Sequence, residues 1–127
     1  MTEQRDVRAG VLNLRIADEG GRRLIRLSGE LDLANAASLE TELDRVLGDG
    51  GGEIVVDLEE LSFIDSTALG VLIAAQRRMH DDARLAIVCT HPQVLNVFEI
   101  TGIDTAFKIH AARAAALAHV QAANARA

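Results

Sequence analysis

The chain has 127 residues, 49% of them hydrophobic, one cysteine and a formal net charge of −6 at pH 7. That length suits one domain with its own core, so folding requires no disulfide or metal, and Cys89 has no internal partner. Basic residues scattered singly or in pairs such as Arg22-Arg23 speak against direct nucleic-acid binding, and no apolar run approaches the ~20 residues of a membrane span, so a cytoplasmic protein is expected.

Residues 1–10 are polar and are expected to form a flexible N-terminus, with the domain over 11–125. Leu12, Leu14 and Ile16 alternate with Asn13, Arg15 and Ala17, the period of a half-buried strand. Asp18-Glu19-Gly20-Gly21 reads as a turn and Leu24 to Leu27 as a second strand, so the two pair as an antiparallel hairpin. Gly29-Glu30-Leu31-Asp32 closes that strand. Ala36, Leu39, Leu43, Val46 and Leu47 then recur at helical spacing. Glu40, Glu42, Asp44 and Arg45 fall largely outside the stripe, and Asp32 or Asn35 is the expected cap. The cluster Gly48-Asp49-Gly50-Gly51-Gly52 stops the helix. It precedes a strand and lacks a Gly-Lys-Ser/Thr ending, so it reads as a linker and not a phosphate loop.

Ile54, Val55 and Val56 form a short buried strand ending at Asp57. Leu69, Leu72, Ile73 and Met79 share one helical face, and Asp65 and Ser66 are its candidate N-caps. Leu85 to Val88 is another buried strand. His91-Pro92 opens a helix with Val94, Val97 and Phe98 inward, and Gly102 stops it. Phe107-Lys108-Ile109 is a last short strand, and the alanine-rich residues 111–125 form a helix. The order β-β-α-β-α-β-α-β-α predicts an α/β domain: a mostly parallel β-sheet entered by an antiparallel hairpin, with helices packed on the sheet. Phe63, Phe98 and Phe107 are its only large rings.

Catalytic chemistry finds little support. Ser66 lacks a Gly-x-Ser-x-Gly elbow, and His80 lies 14 residues down the same helix, roughly 20 Å away at ~1.5 Å per residue. The adjacent His80-Asp81-Asp82 cannot readily converge on one ion. Asp57, Glu59, Glu60 and Asp65 read as an acidic surface, since no sugar-stacking aromatic accompanies them. No cofactor, metal or enzyme activity is expected.

The segment Phe63-Ile64-Asp65-Ser66-Thr67-Ala68-Leu69-Gly70-Val71-Leu72 resembles the signature loop of the STAS family, the domain of anti-sigma factor antagonists. Leu27-Ser28-Gly29-Glu30-Leu31-Asp32 is similar to that family's strand-to-helix entry motif, and the order of periodic segments matches over nearly the whole chain. The resemblance implies that Ser66 is phosphorylated by an anti-sigma factor serine kinase of ATPase fold, and that a PP2C-type phosphatase reverses this. The unphosphorylated form would bind the kinase and release a sigma factor. Asp32, Asp65, Ser66, Thr67, Ala68 and Leu69 are the residues expected to meet the partner. The family also implies an alternative, a scaffold or partner-binding subunit of a stress-signalling or lipid-transport complex without phospho-switching. Where the family's loop most often carries glycine, this chain has Ala68, which suits a helical residue there but not a left-handed one.

Overall fold

In the computed structural model, residues 4–19, 22–48, 53–78, 85–102 and 108–110 are described. The elements are β1 (Gln4–Ala9), β2 (Leu12–Glu19), β3 (Arg22–Leu31), α1 (Ala36–Gly48), β4 (Ile54–Ile64), α2 (Ser66–Arg77), β5 (Leu85–Val88), α3 (Pro92–Ile100) and β6 (Lys108–His110). The six strands form one sheet in the order β1-β2-β3-β4-β5-β6. β1, β2 and β3 are antiparallel; β3 to β6 pair in parallel through helical crossovers.

That order decides where the helices go. All three crossovers advance along the sheet in one direction, and such connections are right-handed. α1, α2 and α3 therefore stack on the same face. Their inward residues Leu39, Leu43, Leu69, Leu72, Val94 and Phe98 join Leu14, Leu27, Val56 and Ile87 of the sheet in one core cluster. Full burial of each such leucine contributes about 1.5–3 kcal/mol, far above any helix-propensity difference. On the opposite face Leu24, Val55, Ala86 and Val88 form a smaller buried patch.

The expected fold class holds, with three corrections. Residues 4–9 are not loose. They form β1, with Val7 packed against the core and Asp6 and Arg8 exposed. The strand is hard to see in the sequence because Val7 and Ala9 are its only inward apolar side chains. Glu42 does not lie outside the helical stripe: it is buried, and Arg5 of β1 donates a hydrogen bond to its carboxylate. The third correction concerns β4, which does not end at Asp57 but runs on to Ile64. Two register shifts against β3 each place an extra β4 residue between paired positions. These bulges turn Leu58, Leu61 and Ile64 inward at a spacing of three, where strict alternation would spoil the pattern.

His91 caps α3 with Nδ1 accepting the Gln93 N–H, Pro92 occupies its first turn, and Gly102 follows the Thr101 cap at φ +74°. Phe98 is buried as expected, whereas Phe63 is half exposed; Phe107 lies outside the described residues. The Gly20-Gly21 turn, Met79, the His80-Asp81-Asp82 cluster and the helix expected over 111–125 also lie outside them.

Candidate functional site

The end of β4 and the start of α2 carry the site. Asp65, with extended φ −111° and ψ 176°, is the N-cap of α2. Its Oδ1 accepts the Ala68 N–H at 3.0 Å, and its Oδ2 accepts the Leu33 N–H at 2.9 Å. One carboxylate therefore closes the helix and ties it to the loop that follows β3. The Asp65 N–H also donates to the Leu31 carbonyl at 3.2 Å.

That neighbouring loop is built from Asp32 and Asn35. Both are expected caps of α1, but their side chains brace the loop itself. Asp32 Oδ1 accepts the Ala34 N–H at 3.0 Å. Asn35 is buried; its Oδ1 accepts the Asp32 N–H and its Nδ2 donates to the Glu30 carbonyl, each at 2.9 Å. Asp32 keeps part of its surface open, so an anionic group stands in the loop tied to α2.

Because Asp65 serves as the cap, Ser66 is free of that duty. It is the first helical residue, it is exposed, and its hydroxyl makes no hydrogen bond among the described residues. Thr67 beside it is also exposed. The Ser66 and Thr67 amides sit in the first turn, where N–H groups lack intrahelical acceptors and the helix dipole favours negative charge. Ala68 and Leu69 are different: both are fully buried and seat the helix on the core, so they are withdrawn from the surface expected to meet a partner. The alanine raises no strain, since no residue other than glycine has positive φ among the described residues.

Two exposed apolar side chains flank this group: Leu33, which carries no mark of a site in the sequence, and Phe63, which begins the signature segment but is not expected to be exposed. Leu33, 73% exposed, is held beside the α2 cap by its bond to Asp65. Phe63, 46% exposed, stands opposite Glu30 in the β3–β4 register, two residues before the cap. An apolar residue in a loop, and a ring next to the buried Ile64, give no signal of exposure in the sequence.

Asp57, expected on an acidic surface, is instead buried. Its Oδ1 accepts the Glu59 N–H at 2.9 Å, and Arg26 Nε lies 3.5 Å from its Oδ2. Cys89 lies in the core. Burial pushes its thiol pKa up and the Asp57 charge adds to this, against the opposing His91 backbone N–H, so it is an inert core thiol. Among the described residues no His, Cys, Asp and Glu cluster could hold a metal ion, and no helix is long and apolar enough to cross a membrane.

The STAS domain profile matches residues 13–116 of the chain. The chain belongs to the STAS family. Among STAS relatives, an anti-sigma-B factor antagonist of Staphylococcus aureus is 34% identical over 80 residues, 62% of this chain and 74% of that protein. The anti-sigma-F factor antagonist RsfB of Mycobacterium tuberculosis is 26% identical over 98 residues, covering 77% of this chain and 80% of its own. The crystal structure of an anti-sigma factor antagonist from Mycobacterium paratuberculosis superposes with a TM-score of 0.82 at 25% identity, over 87% of this chain and 94% of that one.

Within this STAS domain, Asp65 holds two segments together. Asp65→Ala removes the cap, worth about 1 kcal/mol, and the tie to Leu33, worth about another. Hydrogen exchange should accelerate at both the Ala68 and Leu33 amides, while Asp32 and Asn35 keep the rest of the loop. Unchanged protection at Ala68 would show that the cap is not held by this carboxylate.

Proposed function

We propose that this STAS domain is an anti-sigma factor antagonist switched at Ser66. Unphosphorylated, it binds an anti-sigma serine kinase of ATPase fold, which then lets go of a sigma factor. The kinase transfers the γ-phosphoryl group of ATP to Ser66 Oγ, the hydroxyl proton leaves, and the complex dissociates. A PP2C-type phosphatase restores the hydroxyl. The role is regulatory and not catalytic. The observation that carries the reading is the exposed Ser66 hydroxyl at the first position of α2, relieved of capping by Asp65. The names of the relatives support the antagonist role.

The physics of such a switch suits this geometry. A phosphate adds about −1.5 to −2 charges. The first-turn amides and dipole of α2 accommodate it, so the fold is retained. A carboxylate facing it at ~6 Å, with an effective dielectric near ~20, costs about 3 kcal/mol before screening. Asp32 and Asp65 repel the phosphate in the free and bound states alike, so the affinity falls through acidic groups of the partner that face Ser66. Since about 1.4 kcal/mol is tenfold in affinity, a few such pairs dissolve a micromolar complex without a shape change. Leu33 and Phe63 supply apolar contact area beside the switch, and Thr67 and Asp32 complete the surface.

The test uses wild type, Ser66→Ala and Ser66→Asp as baits in lysate of the native host, with mass spectrometry of the captured proteins. An ATPase-fold kinase should come down with wild type and Ser66→Ala. Ser66→Asp should lose at least about tenfold in affinity for it. Incubation of that kinase with ATP should place phosphate on Ser66 and not on Thr67. If all three baits hold the same partner equally, the switch reading fails, and the captured proteins point to the scaffold or transport role.

A further inference from the structure

The sheet has two edges, and they differ. β6 spans only Lys108–His110, whereas β1 offers six residues, Gln4–Ala9, with neither proline nor a bulge in its pairing with β2. Such an edge is a template for another strand unless its side chains forbid it. Here the side chains permit one arrangement.

Two copies of β1 that continue the sheet antiparallel are related by a two-fold axis perpendicular to it. Opposed residues then point to the same face, so their numbers must share parity. Within Gln4–Ala9 the registers centred on Asp6 and Val7 overlap most, and those centred on Arg5 and Arg8 overlap less. The one centred on Asp6 sets Asp6 against Asp6, and those centred on Arg5 and Arg8 set arginine against arginine. The register centred on Val7 sets Asp6 opposite Arg8 twice, with Val7 against Val7 on the helix-covered face. Asp6 and Arg8 lie exposed on the other face, where Asp6 also meets Arg15 Nε at 3.0 Å. Arg8 makes no ion pair among the described residues, so this register gives it an acceptor. Cross-strand pairs of opposite charge stabilise such a ladder and like pairs destabilise it.

We propose that β1 pairs with β1 of a second copy of this chain about a two-fold axis at Val7, joining the described strands of both copies in one continuous sheet with α1, α2 and α3 of each on one side. The charges on this edge act as a register key: they disfavour the competing alignments and reward one. The pairing is isologous and closes at two copies, because it consumes the only long edge among the described strands. It leaves the Ser66 loop open in both copies, since β4 lies three strands away from β1, about 14 Å at ~4.8 Å per strand.

A charge-swap experiment on the full chain tests this by sedimentation equilibrium over a concentration series. Wild type should show a monomer–dimer equilibrium. Asp6→Arg alone and Arg8→Asp alone should each weaken dimerisation at least about tenfold, because each creates two like-charge pairs. An equimolar mixture of the two variants should recover a dimer, since one copy then presents arginine at both positions and the other aspartate at both. Recovery in the mixture also shows that both variants are folded. A strictly monomeric wild type, variants that dimerise as wild type does, or a mixture that stays monomeric would each overturn the proposal.

Discussion

Gly29→Ala is expected to be the most damaging small substitution in the described chain, lowering stability by about 3–5 kcal/mol. Gly29 sits at φ +95°, where an L side chain is strained by about 1–2 kcal/mol. A Cβ built there falls 2.0 Å from the Val11 carbonyl oxygen, a backbone atom that cannot swing aside. Either β2 or β3 must shift. That shift would disturb the Leu12–Gly29 register pair and the 3.3 Å bond from the Glu30 N–H to Val11 O. Urea unfolding should show a lower midpoint with an unchanged slope, and the melting temperature should fall by about 10 °C or more. Gly10→Ala is the matched control, because φ there is +61° but nothing lies within 4 Å of the added carbon. It should cost only the backbone strain. If the two variants lose equal stability, the close approach of Val11 is not what requires glycine.

The second large effect is expected at Arg5. Glu42 lies in α1 with only 5% of its side chain exposed, and Arg5 of β1 is its ion-pair partner. Arg5→Ala leaves a buried carboxylate without a cation. Removing one partner of a buried pair costs about 3–5 kcal/mol, and the 39% exposure of Arg5 places this case at or below the lower end. The double variant Arg5→Met with Glu42→Leu removes both charges and keeps the volume, so it should recover most of the loss. A double-mutant cycle by urea denaturation measures this. A double variant as unstable as Arg5→Ala would mean that the pair does more than neutralise a buried charge. Arg5→Ala should also release β1, giving faster exchange of its amides than of those in β3.

The same residues show what can be read without coordinates. Strands and helices with dense apolar periodicity, such as Leu12-Leu14-Ile16 or Leu39-Leu43-Val46, are legible because burial is what their pattern encodes. β1 is not, because its inward side is largely Arg5 and Val7, and its place depends on a carboxylate thirty-seven residues away. Of the acidic run, Glu59 and Glu60 are exposed as read, whereas Asp57 is buried where β4 lies between β3 and β5, a placement no local pattern announces. At the site, Asp65 and Ser66 are equal candidates for the cap by sequence, since either oxygen can accept a first-turn amide. A second bond separates them, because the other Asp65 oxygen holds Leu33 of a distant loop. The exposure of Leu33 and Phe63 escapes notice for the opposite reason, since an apolar residue announces burial and theirs is withheld by tertiary structure.

A strand order that equals the sequence order has a consequence for biosynthesis. Each described strand after β1 leaves the ribosome to find its neighbour already made, and none of them must be threaded between two earlier ones. The antiparallel β1-β2-β3 unit can form first, from short loops with little closure entropy. Each later helix-and-strand unit then adds at the growing edge, from β4 to β6, so the nascent chain is assembled in the order in which it is translated. The Ser66 loop is completed part-way through this process, once β4 has docked on β3, before β6 has been synthesised.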